Sequence, residues 1–162
     1  MSLPRSERGD RGGASSAKAE RVSPRGEAHS LKPGVLARLL RAARAARRNA
    51  HAPYSRFRVG AAVLAGGKVH AGANVENASY GLTLCAERVA ACAAIAAGAR
   101  RLEAVVVASP GEEPIPPCGA CLQTLAELGG PELPVVLAGT RGGRIETTLR
   151  ELLPRAFTRT LL

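Results

Sequence analysis

At 162 residues, 46% of them hydrophobic, the chain has room for one domain with one buried core, and no apolar run approaches the roughly 18 residues a membrane span needs. The net charge of +10 raises the question of a nucleic-acid partner, but the distribution argues against it: seven of the 23 basic residues lie among four acids in the first 32 positions, and five more (Arg38, Arg41, Arg44, Arg47, Arg48) share one helix. Four cysteines without an apolar leader read better as metal ligands than as a disulfide framework, and a reducing cytoplasm is the expected setting.

Residues 1–32 are rich in Ser, Gly, Arg and Glu and almost free of branched apolar side chains. They cannot bury enough surface to offset the entropy of ordering, so a disordered basic tail is expected there and a folded domain over 33–162. Pro33 suits the first turn of a helix. Leu36, Leu39, Leu40 and Ala43 then recur at helical spacing, with Arg41, Arg44 and Arg48 on the opposite, solvated side. This helix should end before Pro53.

The stretch 58–64 (RVGAAVL) predicts a strand, Gly66-Gly67 a hairpin turn, and 68–74 the returning strand. Residues 86–97 predict an alanine-rich helix stopped by Gly98. The run 102–108 (LEAVVVA) is of the kind that forms a strand buried on both faces. A second helix is expected over 118–128, then a buried strand over 133–138, a turn at 140–143, a short strand over 144–147 and a last helical turn near 149–153.

Two helical crossovers predict parallel neighbours around 102–108, joined right-handedly. The turn at 140–143 is too short for a helical crossover, so the last strand should run antiparallel to the one before it. The expected architecture is α/β: a three-layer α/β/α sandwich around a five-stranded mixed sheet. Aromatic residues are scarce (Tyr54, Phe57, Tyr80 and Phe157, with no Trp), so Ala, Val and Leu must build the core and each aromatic invites a question about its role.

Three cysteines and one glutamate carry the chemistry. Cys85-Ala86-Glu87-Arg88 precedes one helix, and Pro117-Cys118-Gly119-Ala120-Cys121 opens the next. Both sit where a helix N-terminus, with its partial positive charge, favours a thiolate. Three thiolates hold a zinc ion and leave its fourth tetrahedral position open, which points to catalysis; a structural zinc usually takes four protein ligands. Glu87 beside the open position is placed to act as acid and base. Arg88 is placed to hydrogen-bond a ligand sulfur and draw off some of the negative charge. The fourth cysteine, Cys92, is expected to pack in the core. His29, His51 and His70 have no partner at ligand spacing and are not assigned to the metal.

With these residues in view the chain resembles the small homotetrameric cytidine deaminases. The resemblance covers residues 33–162. It rests on 52–60 (APYSRFRVG), 74–80 (NVENASY), 85–88 (CAER), 116–121 (PPCGAC) and 151–157 (ELLPRAF), in the right order and spacing. It implies one zinc per subunit on Cys85, Cys118 and Cys121, with Glu87 moving protons as hydroxide attacks C4 of cytidine or deoxycytidine and ammonia leaves. It further implies that Phe57 stacks on the pyrimidine and that Asn74 and Glu76 bind the ribose 3′-hydroxyl. The backbone at Ala86 would meet the base carbonyl, and Tyr80 would lie near the ribose 5′ end. Phe157 would enter the site of a neighbouring subunit of a homotetramer, and the pathway implied is pyrimidine salvage. One departure stands out: Leu122 occupies the position after the second Cys where the family usually has Arg.

Other readings are weaker. Deaminases of tRNA or nucleotides typically use His as first ligand and join the last two strands by a helix, against Cys85 and the short turn at 140–143. Deaminases of blasticidin-type nucleoside antibiotics are nearer, but 74–77 (NVEN) fits the cytidine enzymes better. A basic nucleic-acid-binding module would be another class altogether, betrayed by binding that weakens steeply with salt.

Overall fold

The computed structural model describes residues 30–158; positions 1–29 of the expected tail, His29 among them, lie outside the described residues. Helix α1 (Pro33–Arg48) opens on its proline, whose fixed φ suits a first turn and whose missing N–H is not needed there. It buries Leu36, Leu39 and Ala43 and leaves Arg41, Arg44 and Arg48 exposed, as the spacing predicts.

Strands β1 (Gly60–Ala65) and β2 (Lys68–Ala73) form a hairpin through Gly66 and Gly67, whose φ values of 57° and 71° are those of a tight primed turn. Strands β3 (Ala104–Ser109), β4 (Pro134–Gly139) and β5 (Arg144–Thr148) complete a five-stranded mixed sheet of order β2-β1-β3-β4-β5. All six residues of β3 are buried, as a central strand covered on both faces requires. It pairs parallel with β4, and β5 pairs antiparallel with β4 across the short turn.

The parallel neighbours expected on both sides of β3 are found on one side only, because β1 pairs with β3 antiparallel. The crossover from β2 through helix α2 (Ala86–Ala96) does deliver a strand parallel to β2, but β1 lies between the two. The first strand also begins at Gly60 and not at Arg58. Arg58 O accepts from Arg47 Nε and Val59 N donates to the Asn74 side chain, so side chains replace the ladder there.

Two apolar layers flank the sheet. On one face α1 packs Leu36, Leu39 and Ala43 against Ala62, Ala104, Val106 and Val136. On the other, α2 and α3 (Gly119–Gly129) bury Ala90, Ala94, Leu122 and Leu125 against Val63, Val105, Val107 and Val135. The short helix α4 (Leu149–Leu152) closes this face with Leu149 and is started by a capping box, Thr148 to Glu151. Alternating neighbours of one β strand thus serve opposite layers, and the three-layer sandwich is complete.

Helix α2 lies directly against the sheet at Gly72. A Cβ at Gly72 of β2 would stand 2.5 Å from Ala90 N and 2.8 Å from Ala86 O, so only glycine fits beneath that helix. The same helix corrects the reading of Cys92, which is exposed and not in the core. The buried face of α2 is Ala86, Glu87, Ala90, Ala91 and Ala94, and position 92 falls on the opposite side. Among the described residues no helix is long and apolar enough to cross a membrane.

Candidate active site

Cys85 and Cys118 are the N-cap residues of α2 and α3, both extended (φ −75°, ψ 152° and φ −68°, ψ 164°). Each gives its backbone carbonyl to the first helical bond: Val89 N donates to Cys85 O, and Leu122 N to Cys118 O. The two side chains make no capping bond and turn toward each other. Cys85 Sγ lies 3.8 Å from Cys118 Sγ, which lies 3.6 Å from Cys121 Sγ. All three sulfurs are within 4.8 Å of one another. A tetrahedral zinc with Zn–S bonds of about 2.3 Å needs sulfurs about 3.8 Å apart, so the triad fits the ion that its donor atoms favour. Neither His51 nor His70 belongs to the cluster.

The cluster is also electrostatically prepared. The Cys85 thiol is held down to about 5, first by a hydrogen bond from Cys121 and then by Arg88 and Cys118. Cys121 is pushed up, first by its hydrogen bonding with Cys85 and then by its burial, so the thiols of the cluster titrate together. Arg88 Nη2 donates to Thr83 O at 2.8 Å, which steadies the guanidinium against Cys85; its Nε is buried without a partner. Leu122 is buried among the apolar side chains between α2, α3 and the sheet. Arg88 is the cation whose charge acts on both Cys85 and Glu87.

Glu87, in the first turn of α2, is only 5% exposed. Burial pushes its carboxyl above the ordinary range, and the negative charge of Cys85 adds to the rise. It lines a cavity of about 390 Å³ together with Cys85, Ala86 and Cys118. The same cavity is lined by Phe57, Asn74 and Glu76, which arrive from the segments before β1 and after β2. The antiparallel pairing of β1 with β2 is what brings these two segments side by side.

Both segments are internally braced. Asn74 is buried and uses both ends of its amide on the backbone of 57–59. The Glu76 carboxylate accepts from Tyr54 N at 2.9 Å, from Ser55 N at 3.2 Å and from the Ser55 hydroxyl. The Ser55 hydroxyl, foremost among these, holds Glu76 below the usual carboxylate range, so it stays ionised. Phe57 is 38% exposed, open to the cavity.

Residues 35–137 match the family described as "Cytidine and deoxycytidylate deaminase zinc-binding region". The chain belongs to the cytidine deaminase family. A cytidine deaminase of Halalkalibacterium halodurans is 50% identical over 121 residues, 74% of this chain and 92% of that protein. One of Mycobacterium tuberculosis is 48% identical over 109 residues, 67% of this chain and 78% of that protein. The crystal structure of the cytidine deaminase from Burkholderia pseudomallei is similar with a TM-score of 0.72 and 52% identity, covering 75% of this chain and 98% of that one.

Two residues expected in the deaminase site lie apart from the central cavity. Tyr80 stands on a 3₁₀ turn (Tyr80–Leu82) and borders an adjoining cavity of about 360 Å³ that shares Ser55, Glu76 and Thr83 with the first. Its ring meets Tyr54 edge-on, centroids 6.1 Å apart. Phe157 lines neither cavity and is 59% exposed. Conversely, the cavity includes Ser109, Ile115 and Pro116, to which the sequence reading assigned nothing. The position of Ser109 at the end of a fully buried strand is the one signal that could have marked it, since ligands of open α/β sheets gather at strand ends.

Proposed function

We propose that the chain is a zinc-dependent deaminase that converts cytidine and deoxycytidine to uridine and deoxyuridine, consuming one water and releasing one ammonia. The observation that carries this reading is the buried carboxyl of Glu87 facing the same cavity as Cys85 and Cys118. Cys85, Cys118 and Cys121 would hold the ion, whose chemistry is to lower the pKa of a water at its open position. Glu87 accepts the proton of the attacking water and returns protons to ring N3 and to the departing amino group. A carboxyl raised by burial suits both directions of transfer near neutral pH.

Phe57 offers a face for stacking the pyrimidine, and the backbone at Ala86 meets the base carbonyl. Asn74 and Glu76 take the ribose 3′-hydroxyl, and Tyr80 bounds its 5′ end. An ionised Glu76 at the sugar disfavours a phosphate there and supports a nucleoside over a nucleotide. Arg88 offsets the negative charge of three thiolates, in the absence of an arginine at position 122. The exposed Phe157, with Leu82, Leu84 and Ile115 exposed as well, supports a homotetramer in which Phe157 enters a neighbour's site. We place the enzyme in pyrimidine salvage in the cytoplasm.

The test is an absorbance assay of the zinc-loaded protein with cytidine, deoxycytidine, adenosine and blasticidin S in parallel. Turnover of both pyrimidine nucleosides and neither of the others is the expected result. Preferential turnover of blasticidin S would overturn the assignment.

A further inference from the structure

Gln123 and Phe157 are 34 positions apart in sequence and share two hydrogen bonds. Gln123 Nε2 donates to Phe157 O at 2.6 Å, and Phe157 N donates to Gln123 Oε1 at 3.2 Å. One side-chain amide thus pairs with the backbone of one residue as a strand neighbour would. Two bonds to the same residue fix its rotation as well as its place, and so the direction in which its side chain leaves the backbone.

Residues 153–157 follow α4 without helix or strand, so no ladder orders them. Among the described residues, the side-chain hydrogen bonds that Phe157 makes are those with Gln123. Phe157 as a whole is left 59% exposed, although aromatic side chains ordinarily bury about 150–250 Å² each. A frayed end would leave both backbone and ring loose. Here the backbone is pinned while the ring is held out, which is the arrangement of a residue presented to another surface. Gln123 sits on α3 just beyond Cys121, so one helix carries both a metal ligand and the clamp on the presented ring.

We propose that Gln123 is a positioning residue that sets the direction of Phe157, so that the ring enters the neighbouring subunit's site at the height of the pyrimidine. This rests on the reading that Phe157 serves a neighbour. Because α3 is anchored by its own cysteines, the ring offered outward is held in register with the ligands facing inward.

The experiment uses the zinc-loaded enzyme and the variants Gln123→Ala, Gln123→Glu, Phe157→Ala and Gln123→Ala/Phe157→Ala, with kcat and KM for cytidine, zinc content, and hydrogen exchange at the Phe157 amide. Gln123→Ala is expected to raise KM roughly five- to tenfold, the scale of losing one or two well-aligned hydrogen bonds, with kcat within about twofold. It is also expected to speed exchange of the Phe157 amide. Gln123→Glu keeps the acceptor for Phe157 N but has no donor for Phe157 O, and is expected to fall between. In the Phe157→Ala background the second substitution is expected to change nothing further.

An unchanged KM in Gln123→Ala overturns the proposal, as do additive effects in the double variant, which would place the role of Gln123 elsewhere. Loss of zinc in Gln123→Ala would also overturn it, assigning the residue to the metal helix alone. If Phe157→Ala itself leaves KM unaltered, the reading that Phe157 serves a neighbour fails. Amide exchange still reports separately whether Gln123 holds Phe157.

Discussion

Asn74 is bound at both ends of its amide to the segment carrying Phe57: Nδ2 donates to Phe57 O at 2.9 Å and Oδ1 accepts from Val59 N at 2.8 Å. Asn74→Ala leaves that carbonyl and that N–H without partners, each costing about 1–3 kcal/mol where water cannot replace the bond. The expected outcome is a urea midpoint shift equivalent to at least about 2 kcal/mol, together with a higher KM as Phe57 loses its placement. A variant as stable as the parent but with a raised KM would instead make Asn74 a pure sugar ligand.

Glu87→Gln should keep zinc and fold and lose at least about 10² in turnover, the usual scale for removing a general acid–base. Near-normal turnover in a zinc-loaded variant would remove Glu87 from the mechanism. The same substitution has a signature in the metal-free protein. Burial raises the carboxyl, so the folded state binds more protons than the unfolded state between the ordinary value and the raised one. Stability contributed by this group is therefore present at low pH and lost as pH rises through the raised value. Metal-free Glu87→Gln is expected to melt higher than the metal-free parent at pH 8, with the gap closing near pH 4. Thermal melts across that range measure it.

Cys92 lies on the exposed side of α2 and outside the sulfur cluster. Cys92→Ala should bind one zinc per chain, whereas Cys118→Ala should lose most of it. Elemental analysis of the two purified variants decides the matter, and equal loss in both would refute the ligand set.

Mixing subunits tests whether Phe157 acts across an interface. Phe157→Ala chains have an intact Glu87, and Glu87→Gln chains have an intact Phe157. If Phe157 serves a neighbour, reassembled mixtures contain sites with both groups, and substrate affinity is partly restored. Affinity that stays at the Phe157→Ala level, or a monomer by light scattering, ends the idea.

The parts of this molecule legible from sequence are those with short-range signals. Cys85, Glu87, Cys118 and Cys121 stand at helix starts; spacing pairs Cys118 with Cys121 on one helical turn, whereas Cys85 reaches them through the fold. The run through 104–109 betrays a strand covered on both faces because every position is apolar or small. The exposure of Cys92 could not be read, because α2 is so rich in alanine that no polar stripe marks its outer side. The insertion of β1 between β2 and β3 was equally hidden, since a hairpin followed by a crossover is compatible with either strand lying inside. The clamp of Gln123 on Phe157 spans 34 residues and obeys no local period.

Gly72 touches neither the cavity nor the cysteine cluster, yet it governs both through distance. Its missing side chain is a spacer of zero thickness between β2 and α2. Any larger residue there must lift α2 off the sheet, and Ala86, whose carbonyl stands 2.8 Å from the site of the absent Cβ, is the neighbour of both Cys85 and Glu87. A lift of one methyl group would be felt at the carboxyl as a change in depth and at the sulfur as a change in reach toward Cys118. Gly72→Ala should therefore behave as an active-site lesion made from behind, losing zinc and turnover together.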